Sequence, residues 1–181
     1  MQTYVALLRG VNVGGKICKM ELVRSVFEHL GFSAVKTYVQ SGNVVFTTAQ
    51  GSPLRLTQTI EERLAHKFGF PIRVLVKTSK ELADVVRRNP FVKDKTIDQS
   101  KLHVTFLSEA AKQTAAFSLQ GLAINGEQFL VLGQQIYLYC PNGYGRTKLS
   151  NNAIEKKLSL VATTRNWRTV NTLLGMMQLD P

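Results

Sequence analysis

Twice along its 181 residues, the hydrophobic pattern of this chain runs strand, helix, strand, strand, helix, strand. In the first half, residues 3–9 read as a strand built on the apolar run Tyr4–Leu8. A helix from Lys19 carries Met20, Val23, Phe27 and Leu30 on one stripe and stops at Gly31. Val35, Thr37 and Val39 alternate with Lys36 and Tyr38, and the turn Gln40-Ser41-Gly42-Asn43 leads into a strand over 44–47. Ser52-Pro53 opens a second helix with Ile60, Leu64 and Phe68 inward and Gly69 as its stop. Ile72, Val74 and Val76 then alternate with Arg73 and Lys77, and Thr78-x-x-Glu81 has the form of a capping box for a short helix ending before Asn89-Pro90.

The second half repeats the order. Residues 101–107 form a strand, Ser108 is placed as the cap of an Ala-rich helix reaching about Leu119, and strands near 127–132 and 135–140 are joined by Gly133-Gln134. Ser150 caps a helix to about Leu158, a short strand covers 160–163, and Thr164 is placed as the cap of a final helix bearing Trp167, Val170, Leu174 and Met177 on one face. Strand–helix–strand–strand–helix–strand is the split unit of a ferredoxin-like fold, whose first and third strands are central. The expectation is an α+β chain of two ferredoxin-like halves, 1–90 and 91–181, with an additional C-terminal helix. That topology makes neighbours of 10–16 and 40–43, and of 141–149 and 164–167. Its place in the apolar stripe of the last helix puts Trp167 in the core rather than on a stacking surface.

Composition narrows the class. A hydrophobic fraction of 44% suffices for packed cores. No run of 18 or more apolar residues and no cationic leader with an apolar block is present, so neither a membrane span nor a secretory signal is expected. Cys18 and Cys140 lie far apart without metal-ligand spacing, which fits a reducing cytoplasm. The net charge is +11, and it is uneven: +3 over 1–50, +4 over 51–100, zero over 101–140 and +4 over 141–181. A balance of this kind favours polyanions or phosphorylated ligands.

Four polar segments sit at element ends. The first, Arg9-Gly10-Val11-Asn12-Val13-Gly14-Gly15-Lys16, is a glycine-rich strand-to-helix turn that offers backbone N–H groups, Arg9 and Lys16 to an anion. Its Gly10-x-x-x-x-Gly15-Lys16 spacing is that of a P-loop, but Ile17 stands where a magnesium-binding Ser or Thr belongs. The hairpin after the first helix also replaces the parallel crossover that fold requires. The second segment, Gln40-Ser41-Gly42-Asn43, is accounted for by turn chemistry, with Gly42 at positive φ. The third, 141–151, bends at Gly143 and Gly145, presents Tyr144, Arg146 and Lys148, and ends at a helix N-terminus. In the fourth, Arg165 offers a bidentate fork beside Asn166.

None of the four segments contains Asp, Glu or His. Paired-carboxylate, triad and zinc chemistry are therefore not indicated, and proton-transfer candidates reduce to Tyr144, Tyr38, Lys16 and Lys148. The same segments resemble the bacterial domain-of-unknown-function family numbered 1697. The resemblance rests on the Tyr4–Gly15 opening, the Tyr38–Phe46 hairpin, Asn89-Pro90-Phe91, the Pro141–Leu149 loop and Thr164-Arg165-Asn166-Trp167. Val11 and Thr147 depart from the family pattern, which has Ile and Ser there. The resemblance implies an α+β fold with ferredoxin-like features and no established activity, so it assigns no catalytic residue.

Three functional readings follow. The foremost is a module binding nucleic acid or a nucleotide through a site drawn from Arg9, Asn12, Gly14, Gly15, Lys16, Gln40, Ser41, Asn43, Tyr144, Arg146, Lys148, Arg165 and Asn166, without a metal or cofactor. The second is an enzyme acting on a small phosphorylated or carboxylated metabolite. The third is an interaction protein in which all four segments are turns and caps.

Overall fold

The structure is a computed structural model that describes residues 1–12, 15, 17–49 and 51–178. It is α+β, with two four-stranded antiparallel sheets and, among the described residues, six α-helices. The chain divides into two compact units, Met1–Ala83 with Thr172–Pro181, and Asp84–Asn171. The division falls inside two helices rather than at the Asn89-Pro90 joint.

The first unit runs β1 (Gln2–Arg9), α1 (Met20–His29), β2 (Ser33–Tyr38), β3 (Asn43–Thr48), α2 (Pro53–Phe68) and β4 (Arg73–Thr78). Its sheet order is β2-β3-β1-β4, so β1 and β3 are central. One face of β1, Tyr4, Ala6 and Leu8, packs with Phe46 of β3, Phe27 of α1 and Ile60 and Leu64 of α2 in a single apolar cluster. Phe32 stacks on Phe46 at 4.7 Å and Phe27 meets Phe46 edge-on at 5.2 Å, the offset and T-shaped geometries aromatic quadrupoles favour. The helix limits follow their local signals. Ser52 Oγ accepts the Arg55 N–H, Pro53 occupies the first turn, and Gly69 closes α2 at φ 76°.

A capping box opens α3 (Ser79–Arg87): the Thr78 N–H donates to Glu81 at 2.8 Å, and the Glu81 N–H donates to Thr78 Oγ1 at 3.1 Å. Asn89 Oδ1 accepts the Phe91 N–H at the short 3₁₀ turn that follows. The second sheet is formed by β5 (Leu102–Leu107), β6 (Gln128–Leu132), β7 (Gln135–Tyr139) and β8 (Ala162–Asn166), in the order β6-β7-β5-β8. With α4 (Ala115–Gln120) and α5 (Asn151–Leu158) it buries Leu107, Leu119, Ile136, Leu138, Leu149 and Ile154. Trp167, the first residue of α6 (Trp167–Gln178), is buried, as its apolar stripe predicts.

Two caps read from the sequence are corrected. Ser108 does not start a helix; its Oγ accepts the Val161 N–H at 3.1 Å, and α4 begins only at Ala115. Thr164 is not the cap of α6, because β8 continues through Asn166 in register with β5 as far as His103. Asn166 takes the capping role, its Oδ1 accepting the Thr169 N–H at 2.7 Å.

Candidate functional site

The first loop and the first hairpin meet, as the strand order requires. The Leu8 N–H donates to Gly42 O at 2.8 Å, and Asn12 Nδ2 donates to Gln40 O at 2.6 Å. Asn12 sits at φ 57°, a conformation its short polar side chain tolerates, and its Oδ1 accepts the Cys18 N–H at 2.8 Å. Asn12 is therefore a brace that ties the loop to the hairpin and to the approach of α1. Asn43 is fully buried and donates through Nδ2 to Tyr38 O at 2.9 Å and to Ser41 Oγ at 3.0 Å. Gly42, at φ 73°, leaves no room for a side chain. The polar groups of Asn12, Ser41 and Asn43 thus hold the turn together. Gln40 enters through its carbonyl, with its side chain exposed.

Gly15 is exposed at φ 84°, and Gly14 and Lys16 lie outside the described residues. Arg9 is half-buried and stands opposite Arg73 of β4. The helix α1 starts at Met20, so residues 17–19 separate Lys16 from it, whereas a P-loop runs directly into its helix. The all-antiparallel sheet likewise departs from the parallel crossovers of that fold.

The second unit holds a different arrangement. Its 141–151 loop and β8 are brought together by a chain of hydroxyls. Tyr144 Oη donates to Thr164 Oγ1 at 3.0 Å, and Thr164 donates to Asn151 Oδ1 at 2.6 Å. Thr164 has only one proton, so the contact with Thr105 Oγ1 at 2.7 Å requires Thr105 to be the donor. The direction of the whole chain is thereby fixed. Asn151, first residue of α5, receives it with its carbonyl oxygen, which turns its amide N–H groups away from Thr164.

His103 lies in β5, directly opposite Asn166, and its ring stacks on Tyr144 with centroids 4.9 Å apart. Its Nδ1 donates to Lys101 O at 3.1 Å, leaving Nε2 as the bare nitrogen of the neutral ring. Burial holds its pKa below the usual imidazole value, against the opposing hydrogen bond, so the ring is neutral at pH 7.

At the rim of this network Arg146 and Lys148 are exposed, and their side chains have no hydrogen-bond or ion-pair partner among the described residues. Gly143, at φ 88°, turns the chain here, and Ser150 Oγ caps α5 through the Ala153 N–H. Asn166 is exposed beside its cap. Arg165 departs from expectation. It is 7% exposed, and Nη1 donates to Thr163 Oγ1 at 2.8 Å and Thr164 O at 2.9 Å, so its fork is folded onto its own strand instead of facing solvent.

Sequence reasoning missed His103 and Thr105 as members of this cluster, and it placed the segments of Thr164 and Asn151 here without their hydroxyl and amide roles. The available signal was the period-2 alternation that puts His103 and Thr105 on one face of β5; their partners depend on register. Cys140, close to the loop, is buried, and its thiol is pushed up to about 11, by burial first and by Glu127 second. It is a protonated, inert thiol at neutral pH. Among the described residues no three His, Cys, Asp or Glu side chains are grouped to hold a metal, and no helix is long and apolar enough to cross a membrane.

The profile of a family described as "Protein of unknown function (DUF1697)" matches residues 1–137. That span includes the first loop, the 40–43 hairpin and Asn89-Pro90-Phe91, while the 141–151 and 164–167 segments lie beyond it. No curated protein matches the chain significantly. Among solved structures, a conserved bacterial protein from Streptococcus pneumoniae is similar, with a TM-score of 0.75 and 21% identity over 97% of this chain and 98% of that one. At that identity the likeness is one of fold.

Proposed function

The chain belongs to this DUF1697 family, and from that premise we propose that it binds a phosphate-bearing partner, a nucleic acid or a nucleotide, through the 141–151 loop of its second unit. The observation that carries the reading is the pair Arg146 and Lys148, exposed and unpartnered among the described residues on a glycine-bent loop. Guanidinium and ammonium groups left in solvent without an ion-pair partner attract phosphate and release counterions when it binds. Tyr144, anchored through Thr164 to Asn151, gives the loop a fixed base, and Asn166 adds an exposed amide. Arg165 and Asn43 drop from the contact set because both are buried.

The reading also takes each half as a ferredoxin-like unit, supported by the two sheet orders with the first and third strands inside. Two free, buried thiols support a cytoplasmic setting. The test is the salt dependence of oligonucleotide binding, followed by fluorescence anisotropy between about 50 and 200 mM salt. Replacing Arg146 and Lys148 by Ala should lower the slope of log K against log salt by about 1.4 for a single strand, at about 0.7 per phosphate contact. An unchanged slope in the double variant rejects this loop as the contact surface. A second reading, an enzyme for a small phosphorylated metabolite, is favoured by one observation: neutral His103, with a bare Nε2, stacked on Tyr144. Turnover abolished by His103→Gln with binding retained would establish it.

A further inference from the structure

The first unit carries a second cationic feature, remote in sequence from every glycine-rich loop. Between α1 and α2 lies a groove of about 310 Å³, at the small end of ligand-sized clefts. Val26 of α1 and Leu30, the residue that follows the helix, form its apolar floor, both packed against the core. Its polar rim is His29 from α1 and Arg63, His66 and Lys67 from α2, all four exposed. Among the described residues no acidic side chain lines it.

Of the four acids on the two helices, Glu21 and Glu62 are exposed and do not line the groove, and the other two are engaged elsewhere. Glu28 pairs with Arg24 at 2.8 Å, and Glu61 takes Arg73 at 3.2 Å and the Val74 N–H at 2.8 Å. Arg63, His66 and Lys67 have no hydrogen-bond or ion-pair partner among the described residues. Spacings of three and four residues put them on one helix face, where the like charges of Arg63 and Lys67 repel. His66 and Lys67, in the last turn of α2, complement the negative end of its macrodipole. Arg63 lies a turn earlier and has no such role, so the dipole leaves its position over the groove unexplained.

We propose that this groove is a separate anion site for a small phosphate ester with an apolar body, the Arg63 guanidinium and Lys67 ammonium holding the phosphate and Val26 and Leu30 receiving the apolar group. A planar guanidinium fork takes two phosphate oxygens at once, and a half-buried aliphatic floor rewards a hydrocarbon substituent. The site stands independently of the 141–151 loop.

Phenyl phosphate is the probe, titrated into the full chain by calorimetry and by amide chemical shifts. Saturable binding with shifts centred on residues 26–30 and 63–67 is expected. It should weaken about tenfold in Arg63→Ala and again in Lys67→Ala, each a charge-assisted contact, and stay unchanged when Arg146 and Lys148 are replaced. Absence of saturable binding, shifts that miss both helices, or full affinity in Arg63→Ala would overturn the site. Inorganic phosphate binding as tightly as phenyl phosphate would overturn the role of the apolar floor. Arg63 and Lys67 are exposed side chains, and an unchanged amide spectrum elsewhere confirms that each variant is folded.

Discussion

Replacing Gly42 by Ala tests how the first loop is locked to its hairpin. The glycine has φ 73°, and a Cβ added there would lie 2.5 Å from Val11 Cγ2 and 2.7 Å from Leu8 Cβ. Two costs combine. An L-residue in the left-handed region loses about 1–2 kcal/mol, and forcing a methyl into a filled space costs a further ~1–3 kcal/mol. The sum, roughly 2–5 kcal/mol, corresponds to a fall in Tm of roughly 4–20 °C for a chain of this size, at about 2–4 °C per kcal/mol. Gly10→Ala is the matched control, since Gly10 has nearly the same φ, 72°, with nothing among the described residues within 4 Å of where its methyl would stand. It should lose only the conformational part. Val11→Ala in the Gly42→Ala background should recover some of the deficit, and the rest persists because Leu8 Cβ cannot withdraw from its strand. Thermal and urea unfolding followed by circular dichroism give the comparison. A Gly42→Ala variant no less stable than Gly10→Ala would refute the close approach of the two segments.

Three further outcomes are expected. Asn43→Ala removes a buried amide with its bonds to Tyr38 O and Ser41 Oγ, so the urea midpoint should fall by the equivalent of about 1–3 kcal/mol with an unchanged slope. Thr78→Ala deletes half of the α3 capping box and should cost about 1 kcal/mol in the same assay, while Lys80→Ala, at an exposed position inside the first turn but outside the box, should show no comparable loss. His103 has its folded pKa depressed below 6.5 by burial, so its contribution to stability is present above that value and lost as the pH falls through and below it. Tm measured from about pH 7.5 to 5 should therefore drop more steeply in the parent than in His103→Gln, and parallel curves would remove His103 as the titrating group.

The elements that could be read from the sequence are those whose signals are local. Thr78 with Glu81, Ser52 with Pro53, and Gly69 behave as their positions along the chain predict, because a cap is satisfied within one turn. The neighbour relations between 10–12 and 40–43, and between Tyr144 and Thr164, followed from strand order alone. The misreadings concern side chains whose partners are distant. Ser108 looks like a cap until Val161 arrives across the sheet, and Thr164 looks like one until β8 pairs with β5. Arg165 shows the same limit: its alternation along β8 with Thr164 and Asn166 decides which face it occupies, and that face is buried. His103 carries no loop signature, and it joins the cluster only because Tyr144 folds over β5.

The most direct measurement for the binding account is a map of amide chemical shifts on titrating the full chain with a mononucleotide. Perturbations centred on 143–151 and 164–166, and abolished when Arg146 and Lys148 are replaced by Ala, are the predicted result. Shifts that leave that stretch untouched, or that survive the double replacement, would contradict it.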